Sequence, residues 1–129
     1  MADGLLIADT DLVIDFLRGS DPGSSLVQDW LQNDRLRLTA ITAFELRLGA
    51  DFFPRHASID AILTRRTLPL DALGALLAGE VYSELTSRGE GIGLRDALIA
   101  GVCRRFDLPL ATRNVRHFER VAGIRLVPP

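Results

Sequence analysis

The chain has 129 residues, of which 47% are hydrophobic and 25% are charged, and its formal net charge at pH 7 is −2. These values are typical of a globular protein, and the length fits one domain, 1–129, rather than two. All 15 basic residues are arginine, which excludes mechanisms that need a lysine, such as P-loop nucleotide binding and Schiff-base catalysis.

Hydropathy argues against a membrane-spanning or secreted protein, and cysteine usage argues against a catalytic cysteine. The longest run without a polar side chain, 72–79, is far shorter than the ~20 residues that span a bilayer, and residues 1–3 offer no basic start for a signal peptide. We therefore expect a cytoplasmic protein without a membrane segment. Cys103 has no cysteine to pair with and lies in an apolar run, which favours a buried, inert thiol over a nucleophile.

Charge is distributed unevenly along the chain. Residues 1–34 carry one arginine against seven aspartates, residues 35–94 are balanced, and residues 95–129 carry seven arginines against three acids. An acidic protein with a basic C-terminal third is not a general nucleic-acid binder, because nonspecific affinity depends on the number of basic contacts with phosphates. Local binding of a polyanion remains compatible with this pattern.

Short apolar runs alternate with amphipathic stretches in the first half of the chain. Residues 5–8 are apolar without alternation, which predicts a strand buried on both faces. Aspartates that can cap a helix follow, and apolar residues at helical spacing continue to Gly19. The next predicted elements are a helix over 24–32, a strand over 36–39, a helix from Thr42, a helix over about 57–66 and an edge strand over 68–70.

The second half continues this alternation. Asp71 caps a predicted helix that reaches about Arg88, and the glycine-rich segment 89–93 interrupts the pattern. The remaining predicted elements are a helix over 94–106, whose small-residue face around Gly101 suits packing on a sheet, a strand over 108–112, a helical turn over 115–121 and a strand over 124–127. Strands that alternate with helices indicate one α/β domain with a mostly parallel sheet covered on both faces.

Acidic residues follow the predicted strands at the edge where α/β proteins bind ligands. Asp9 and Asp11 follow the first strand, and Glu45 and Asp96 lie one turn into separate helices. If those helices start at the same edge of the sheet, Asp9, Glu45 and Asp96 converge. Three ionised carboxylates need a cation between them, and oxygen ligands without a histidine or thiolate cluster favour Mg²⁺ or Mn²⁺ over zinc.

Each of these acids can also be explained as a helix cap. Asp9 or Asp11 suits the start of the first helix, and Asp96 suits the first turn of a later one. The segment from Thr42 to Glu45 matches a capping box, which is the favoured explanation of Glu45 on spacing alone. One observation counts against the explanation that all three acids are only helix caps. Glu45 and Asp96 adjoin apolar helical residues, and a carboxylate beside apolar residues needs a partner.

Four segments in chain order resemble the motif regions of one known family. They are LLIADTDLVIDFLRG (5–19), TAITAFELRLG (39–49), GLRDALIA (93–100) and LATRNVRHFE (110–119). Together they resemble the PIN-domain ribonucleases, and within that family the VapC-type toxins of bacterial toxin–antitoxin pairs. The resemblance implies a PIN-like α/β/α sandwich with a mostly parallel central sheet and an acidic site that cleaves RNA with Mg²⁺ or Mn²⁺.

The resemblance also implies roles for individual residues. It assigns Asp9, Glu45 and Asp96 to the catalytic and metal-binding core, and Asn114 to a catalytic position at its edge. The expected substrate-binding residues are Thr10, Arg95, Thr112, Arg113 and Arg116. The three arginines suit the phosphates that flank a scissile bond, although a solvated surface explains each of them individually.

Two positions depart from the family pattern. Asp11 stands where the first motif usually has asparagine, so it either binds a metal ion through water or caps the first helix. Asn114 and His117 stand in the region where the family often has a fourth acid, which leaves the number of metal ions open. For His117, a surface position is favoured over a ligand.

Two other functions remain open from the sequence. Residues 6–13 also resemble the opening motif of haloacid-dehalogenase-type phosphatases, in which Asp9 would be the nucleophile; the chain lacks their usual lysine and later acidic pair. Alternatively, the chain is a catalytically degenerate PIN module that binds RNA or a protein.

The expected partners follow from the toxin resemblance. A toxin of this type needs a cognate antitoxin, and the apolar faces of 12–17, 26–31 and 57–63 suit a groove for an amphipathic partner segment, although core packing explains them equally well. The resemblance further implies a homodimer and an antitoxin arginine that enters the acidic pocket.

Overall fold

A computed structural model describes residues 4–127 of the chain. The strands in that range are β1 (Leu6–Ala8), β2 (Leu36–Thr39), β3 (Thr67–Leu68), β4 (Leu110–Ala111) and β5 (Leu126–Val127). The helices are α1 (Thr10–Arg18), α2 (Gly23–Gln32), α3 (Ala40–Leu48), α4 (His56–Leu63), α5 (Ala72–Ser87), α6 (Leu94–Phe106) and α7 (Val115–Phe118). The predicted single domain, 1–129, extends at both ends beyond the described residues.

These strands form one sheet in the order β3-β2-β1-β4-β5, and every neighbouring pair is parallel. The chain builds the sheet outward from β1 to β3 and then returns to place β4 on the other side of β1. This reversal creates a switch point at the carboxyl ends of β1 and β4, where α/β proteins bind their ligands. The predicted α/β fold with a mostly parallel sheet is confirmed.

Helices cover both faces of the sheet because successive residues of β1 point to opposite sides. Ile7 belongs to one apolar core, which α5 and α6 complete. Leu6 and Ala8 belong to the other, which α1, α2 and α4 complete. All three strand residues are fully buried, as predicted from the continuous apolar run. The α/β/α sandwich implied by the resemblance is therefore confirmed.

Proline and one left-handed residue make several elements shorter than predicted. The predicted strand 68–70 ends before Pro69, and the predicted strand 108–112 begins only after Pro109, because proline has no N–H to donate to a ladder. The helix predicted to reach residue 66 ends before Arg65, whose φ of 65° lies in the left-handed region that interrupts a helix.

Helices α5 and α6 approach each other most closely at a glycine. A Cβ atom added to Gly101 would lie 2.4 Å from the carbonyl oxygen of Gly74 and 2.6 Å from the Cβ of Ala78. The small-residue face of α6 was predicted to press against the sheet, and at Gly101 that prediction is wrong, since this residue faces α5. Two helix backbones come this close only where a side chain is missing.

The structure bears on two expectations from the composition, the burial of Cys103 and the lack of a membrane-spanning helix. Cys103 is 1% exposed, and burial, together with the negative charge of Asp9, raises the pKa of its thiol to about 12. The thiol is therefore protonated at neutral pH, and the predicted buried position is confirmed. Among the described residues, no helix combines the length and the apolar character needed to cross a bilayer.

Candidate active site

Asp9 occupies the switch point of the sheet. It directly follows β1, it is the N-cap of α1, and it is 1% exposed. Its Oδ1 accepts a hydrogen bond of 2.8 Å from the backbone N–H of Thr10, and its Oδ2 accepts one of 2.7 Å from the hydroxyl of Thr112, which follows β4. Asp9 is thus both a helix cap and a site residue, because the parallel pairing of β1 with β4 brings Thr112 to its side.

Glu45 reaches the same place from α3, and it does so without capping that helix. The N-cap of α3 is Thr39, whose hydroxyl accepts a hydrogen bond of 3.1 Å from the backbone N–H of Thr42. The predicted capping box is therefore wrong, because the helix begins before Thr42. Glu45 is one turn inside the helix, and its Oε1 accepts a 2.6 Å hydrogen bond from the hydroxyl of Thr10.

Thr10 joins two elements through its single hydroxyl. It donates its proton to Glu45, and its oxygen lies 2.8 Å from the hydroxyl oxygen of Thr42. A threonine hydroxyl has one proton, so Thr42 donates in the second contact. Thr10, Thr42 and Asp9 are at most 3% exposed, and this buried network fixes the position of the Glu45 carboxylate relative to Asp9.

Asp96 is the third carboxylate of the group and lies in the first turn of α6, where an acid is favoured by the helix dipole. It is 8% exposed. Its Oδ2 lies 3.2 Å from Nδ1 of His117 on α7. His117 had been favoured as a surface residue, and its ring is indeed exposed, but one of its nitrogens contacts a site carboxylate.

Arg95 lies at the centre of this group and binds all three carboxylates. Its Nη2 lies 2.6 Å from Oδ1 of Asp9, its Nε 2.6 Å from Oε2 of Glu45, and its Nη1 2.5 Å from Oδ1 of Asp96. Each nitrogen of the guanidinium thus carries one carboxylate. The three acids converge as the sequence predicted, but the positive charge between them belongs to the chain itself.

The charge of this guanidinium is strongly favoured. Burial alone would lower the pKa of Arg95, but the hydrogen bond that Arg95 donates to Glu45 and the negative charge of Asp9 outweigh burial and raise the pKa above the ordinary value. Arg95 was predicted to contact substrate phosphates. In this structure all three of its nitrogens bind carboxylates, and its role towards phosphates stays a prediction.

The three carboxylates have the ligand chemistry that suits a divalent cation, but in this structure their oxygens are too far apart to bind one ion together. Asp9, Glu45 and Asp96 supply the hard oxygen ligands that Mg²⁺ and Mn²⁺ prefer. Across residues 4–127, however, no three His, Cys, Asp or Glu side chains are grouped closely enough to hold a metal ion. The carboxylates stand around the edges of a guanidinium, whereas Mg²⁺ needs ligands at about 2.0–2.1 Å from one point.

The other predicted residues lie near the three acids without contacting them. Asn114 is the N-cap of α7, and its backbone N–H donates a 2.9 Å hydrogen bond to the Thr112 hydroxyl. Arg113 pairs with Asp15 of α1 at 3.1 Å, and Arg116 is exposed on α7. Their catalytic and phosphate-binding roles stay predictions. Asp11 lies in the first turn of α1, where an acid stabilises the helix.

Sequence reasoning missed one residue of this network and misplaced another. Thr42 was interpreted as a helix cap, although its spacing of three residues from Glu45 places both on one helical face. Arg95 directly precedes Asp96, and it was predicted to bind substrate phosphates, with a solvated surface as the alternative, and not to pair with the three acids. An arginine beside a predicted acidic cluster was the available signal, since buried carboxylates recruit cations.

An apolar cavity of about 490 Å³ adjoins the acidic group. Glu45 and Arg95 line it together with apolar side chains of α3, α6 and the segment before α5, among them Phe44, Leu70 and Leu98. The Phe44 side chain is 65% exposed. The site therefore has one charged side and one apolar side.

Comparison with known proteins identifies the family. The PIN-domain family model matches residues 6–124. The tRNA(fMet)-specific endonuclease VapC of Shigella flexneri is 33% identical over 122 residues, which cover 91% of this chain and 92% of the relative. Ribonuclease VapC10 of Mycobacterium tuberculosis strain H37Rv is 30% identical over 129 residues, which cover 97% and 92%.

Solved structures agree with this relationship. VapBC from Salmonella typhimurium, crystallised with bound DNA, matches with a TM-score of 0.82 at 27% identity, over 95% of this chain and 96% of the other. These matches leave the phosphatase alternative without support. The chain therefore belongs to the PIN-domain family and, within it, to the VapC-type ribonucleases.

Proposed function

We propose that this chain is an endoribonuclease toxin that hydrolyses RNA phosphodiester bonds at Asp9, Glu45 and Asp96 with Mg²⁺ or Mn²⁺. The observation that carries the proposal is the convergence of three carboxylates, from the end of β1, from α3 and from α6, on one positive charge. The ribonuclease names of the relatives support it. An RNA substrate is compatible with the cytoplasmic location that we propose for the chain.

The chain's own residues divide the work of the proposed reaction. Asp9 and Asp96 would hold the divalent cation, and Glu45 would bind its water shell or act as the general base. A cation held there supplies positive charge beside the scissile phosphate and lowers the pKa of a water molecule. Thr10 and Thr112 orient Glu45 and Asp9 through the hydrogen bonds described above.

Residues around α7 would complete the site. The exposed Arg116 would bind a phosphate that flanks the scissile bond, and Arg113 would do so after leaving Asp15. Asn114 would act at the edge of the pocket. His117 would hold Asp96 in position through its Nδ1 contact.

Divalent cations should control the activity of the purified chain. We expect cleavage of transfer RNA, the substrate class in the name of the Shigella flexneri relative, in the presence of Mg²⁺ or Mn²⁺. Excess EDTA should abolish cleavage because the carboxylates then lack the charge that offsets the phosphate. Gel electrophoresis of the RNA measures both results. Cleavage that persists in EDTA would contradict the metal-dependent mechanism, and a chain that binds RNA but cuts none would support the degenerate module.

A second surface suits the proposed antitoxin. Helices α1, α2 and α4 enclose a groove of about 390 Å³, and the three apolar segments predicted for partner binding lie on these helices. Its lining includes Phe16, Leu31, Ala61 and Ile62, with Arg66 in the turn between α4 and β3. Two solved structures of similar fold carry this partnership in their names: a toxin–antitoxin complex from Klebsiella pneumoniae and a member of the VapBC family of toxin–antitoxin systems from Mycobacterium tuberculosis. We assign this groove to an amphipathic segment of the cognate antitoxin.

Placing a charge in the groove should weaken antitoxin binding. Ala61 is exposed on α4 and lines the groove, so Ala61→Arg should raise the Kd for the cognate antitoxin by roughly tenfold or more, because a guanidinium would lose water without gaining a partner. Calorimetry with the purified antitoxin measures this. The control Ala122→Arg changes an exposed turn residue outside the groove and should leave the Kd unchanged. Equal binding by both variants would place the antitoxin elsewhere.

Large exposed apolar side chains on two helices suit the proposed homodimer. Phe44 and Leu48 on α3 and Leu73 and Leu76 on α5 are at least half exposed. Exposed apolar side chains that form one patch mark interaction surfaces. We propose that these four side chains form such a patch and that this face pairs two copies of the chain.

A single charge on this face should separate the two copies. Leu76 is 73% exposed, so Leu76→Arg removes no core contact but would bury a charge between the copies. Light scattering should show a dimer for the wild type and a monomer for the variant. The control Ala122→Arg changes an exposed turn residue outside α3 and α5 and should remain dimeric. A monomeric wild type, or a dimeric Leu76→Arg, would refute the assignment.

A further inference from the structure

Each of the three guanidinium nitrogens of Arg95 pairs with a carboxylate of the acidic group. Arg95 pairs with Asp9, Glu45 and Asp96 at 2.5–2.6 Å. These carboxylates come from three different elements, so one side chain holds together the end of β1, α3 and the start of α6. Arg95 thus serves as the shared counter-ion of all three carboxylates.

We infer that Arg95 is an internal competitor of the divalent cation, which neutralises the three carboxylates and must leave them before the cation binds. This inference rests on the proposed function, because it concerns the same carboxylates. It adds that the metal affinity of the site is set by a side chain of the chain itself.

Two physical reasons make the guanidinium and the cation mutually exclusive. First, both positive charges would occupy the space between the same oxygens and would repel each other strongly in a part-buried site. Second, the guanidinium spaces the carboxylates along its edges, which is too wide for an octahedral ion with ligands at about 2.0–2.1 Å. Closing the carboxylates around a small ion therefore requires Arg95 to leave.

The surroundings allow Arg95 to move while the carboxylates stay in place. The Arg95 side chain is 31% exposed, whereas the side chains of Asp9 and Asp96 are 1% and 12% exposed; that of Glu45 is 27% exposed, but the Thr10 hydroxyl holds it. Arg95 also follows the glycine-rich segment 89–93, in which added Cβ atoms at Gly91 and Gly93 would meet no heavy atom within 4 Å. The guanidinium can therefore turn towards solvent without displacing a packed side chain.

The experiment compares Mn²⁺ binding by the full chain and by Arg95→Gln. Glutamine removes the charge but keeps a polar side chain of similar reach. We expect the Kd for Mn²⁺, measured by calorimetry or by the spin resonance of free Mn²⁺, to fall by roughly tenfold or more, within the range of coupling between linked sites. The control is Arg104→Gln, which removes the same charge from the other end of α6, where Arg104 pairs with Glu80. Its Kd should stay within about twofold of wild type, since a distant exposed charge is screened.

Thermal unfolding supplies a second readout that does not depend on RNA cleavage. Without metal, Arg95→Gln should melt at a lower temperature than wild type, because three carboxylates lose their shared counter-ion. Saturating Mn²⁺ should raise the melting temperature of Arg95→Gln more than that of wild type, since a ligand that binds only the folded state stabilises it according to its affinity.

The outcomes separate this inference from the proposed function. An unchanged or higher Kd for Arg95→Gln, with clear Mn²⁺ binding by wild type, overturns the inference and leaves the metal site standing. Failure of both proteins to bind Mn²⁺ overturns both. If Arg95→Gln does not fold, Arg95→Met decides the matter, because methionine also removes the charge and its unbranched side chain can pack against the apolar cavity that Arg95 lines. An Mn²⁺ Kd of Arg95→Met as weak as that of wild type would refute the competition.

Discussion

Replacing Asp9 with asparagine should abolish RNA cleavage and leave the fold intact. Asparagine is as good an N-cap as aspartate, so its one side-chain oxygen can accept from the Thr10 N–H and keep the first turn of α1. Its NH₂ group can then donate to the Thr112 hydroxyl oxygen in place of the hydrogen bond that Asp9 accepts. The variant loses the charge that holds a divalent cation. We expect the rate of cleavage with Mg²⁺ to fall by about 100-fold or more, the scale of losing one electrostatic element of a catalytic site.

The matched control is Asp107→Asn, which makes the same chemical change outside the site. Asp107 follows α6, has a left-handed φ of 52° that asparagine tolerates well, and pairs with Arg125 on the surface. Its cleavage rate should equal that of wild type, and circular dichroism should show both variants folded. A folded Asp9→Asn that cleaves RNA at the wild-type rate would refute the assignment of the catalytic centre.

Replacing Gly101 with alanine should destabilise the chain more than any surface change discussed above. The new Cβ would lie 2.4 Å from the carbonyl oxygen of Gly74 and 2.6 Å from the Cβ of Ala78. Backbone atoms of α5 cannot yield without separating two helices that form one side of the core. Overpacking of this kind costs about 1–3 kcal/mol or more, which exceeds the gain of ~1 kcal/mol that alanine brings to a helix.

Gly79→Ala is the control, because Gly79 lies on α5 and an added Cβ there would meet no heavy atom within 4 Å. The same substitution should therefore stabilise the chain by roughly 0.5–1 kcal/mol, through helix propensity alone. Urea denaturation of the two variants beside wild type measures the free energies of unfolding. Equal stability of the two variants would show that α5 and α6 separate easily at Gly101.

Periodicity was sufficient to predict the elements around the site. The continuous apolar run 5–8 predicted a strand buried on both faces, and Leu6, Ile7 and Ala8 are fully buried. The alternation of strands and helices predicted a parallel sheet, and the position of Asp9 directly after the first strand placed it at the switch point. These features depend on neighbouring residues, whose side chains alternate or repeat by the geometry of strand and helix.

Residue spacing predicted contacts less well where a residue could face either of two partners. The interval from Thr42 to Glu45 fits a capping box, but Thr39 caps the helix and Glu45 binds Thr10 and Arg95 instead. Gly101 was correctly recognised as part of a small-residue face, but its neighbour was predicted to be the sheet and is α5. Spacing predicts which residues share a face, whereas the packing of other elements decides what that face contacts.

The amino-acid sequence alone determined the fold class, the family motifs and the three acids that meet at the sheet edge, because each depends on short-range pattern and on the order of elements. Only the tertiary structure revealed that Arg95 lies between those acids. Its contact with Asp9 joins residues 86 positions apart. Within the helix alone, the side-chain conformations that point an arginine to solvent or to a carboxylate do not differ in energy enough to predict which one forms. The deciding energy is the attraction of three converging carboxylates, which exists only once β1, α3 and α6 are assembled.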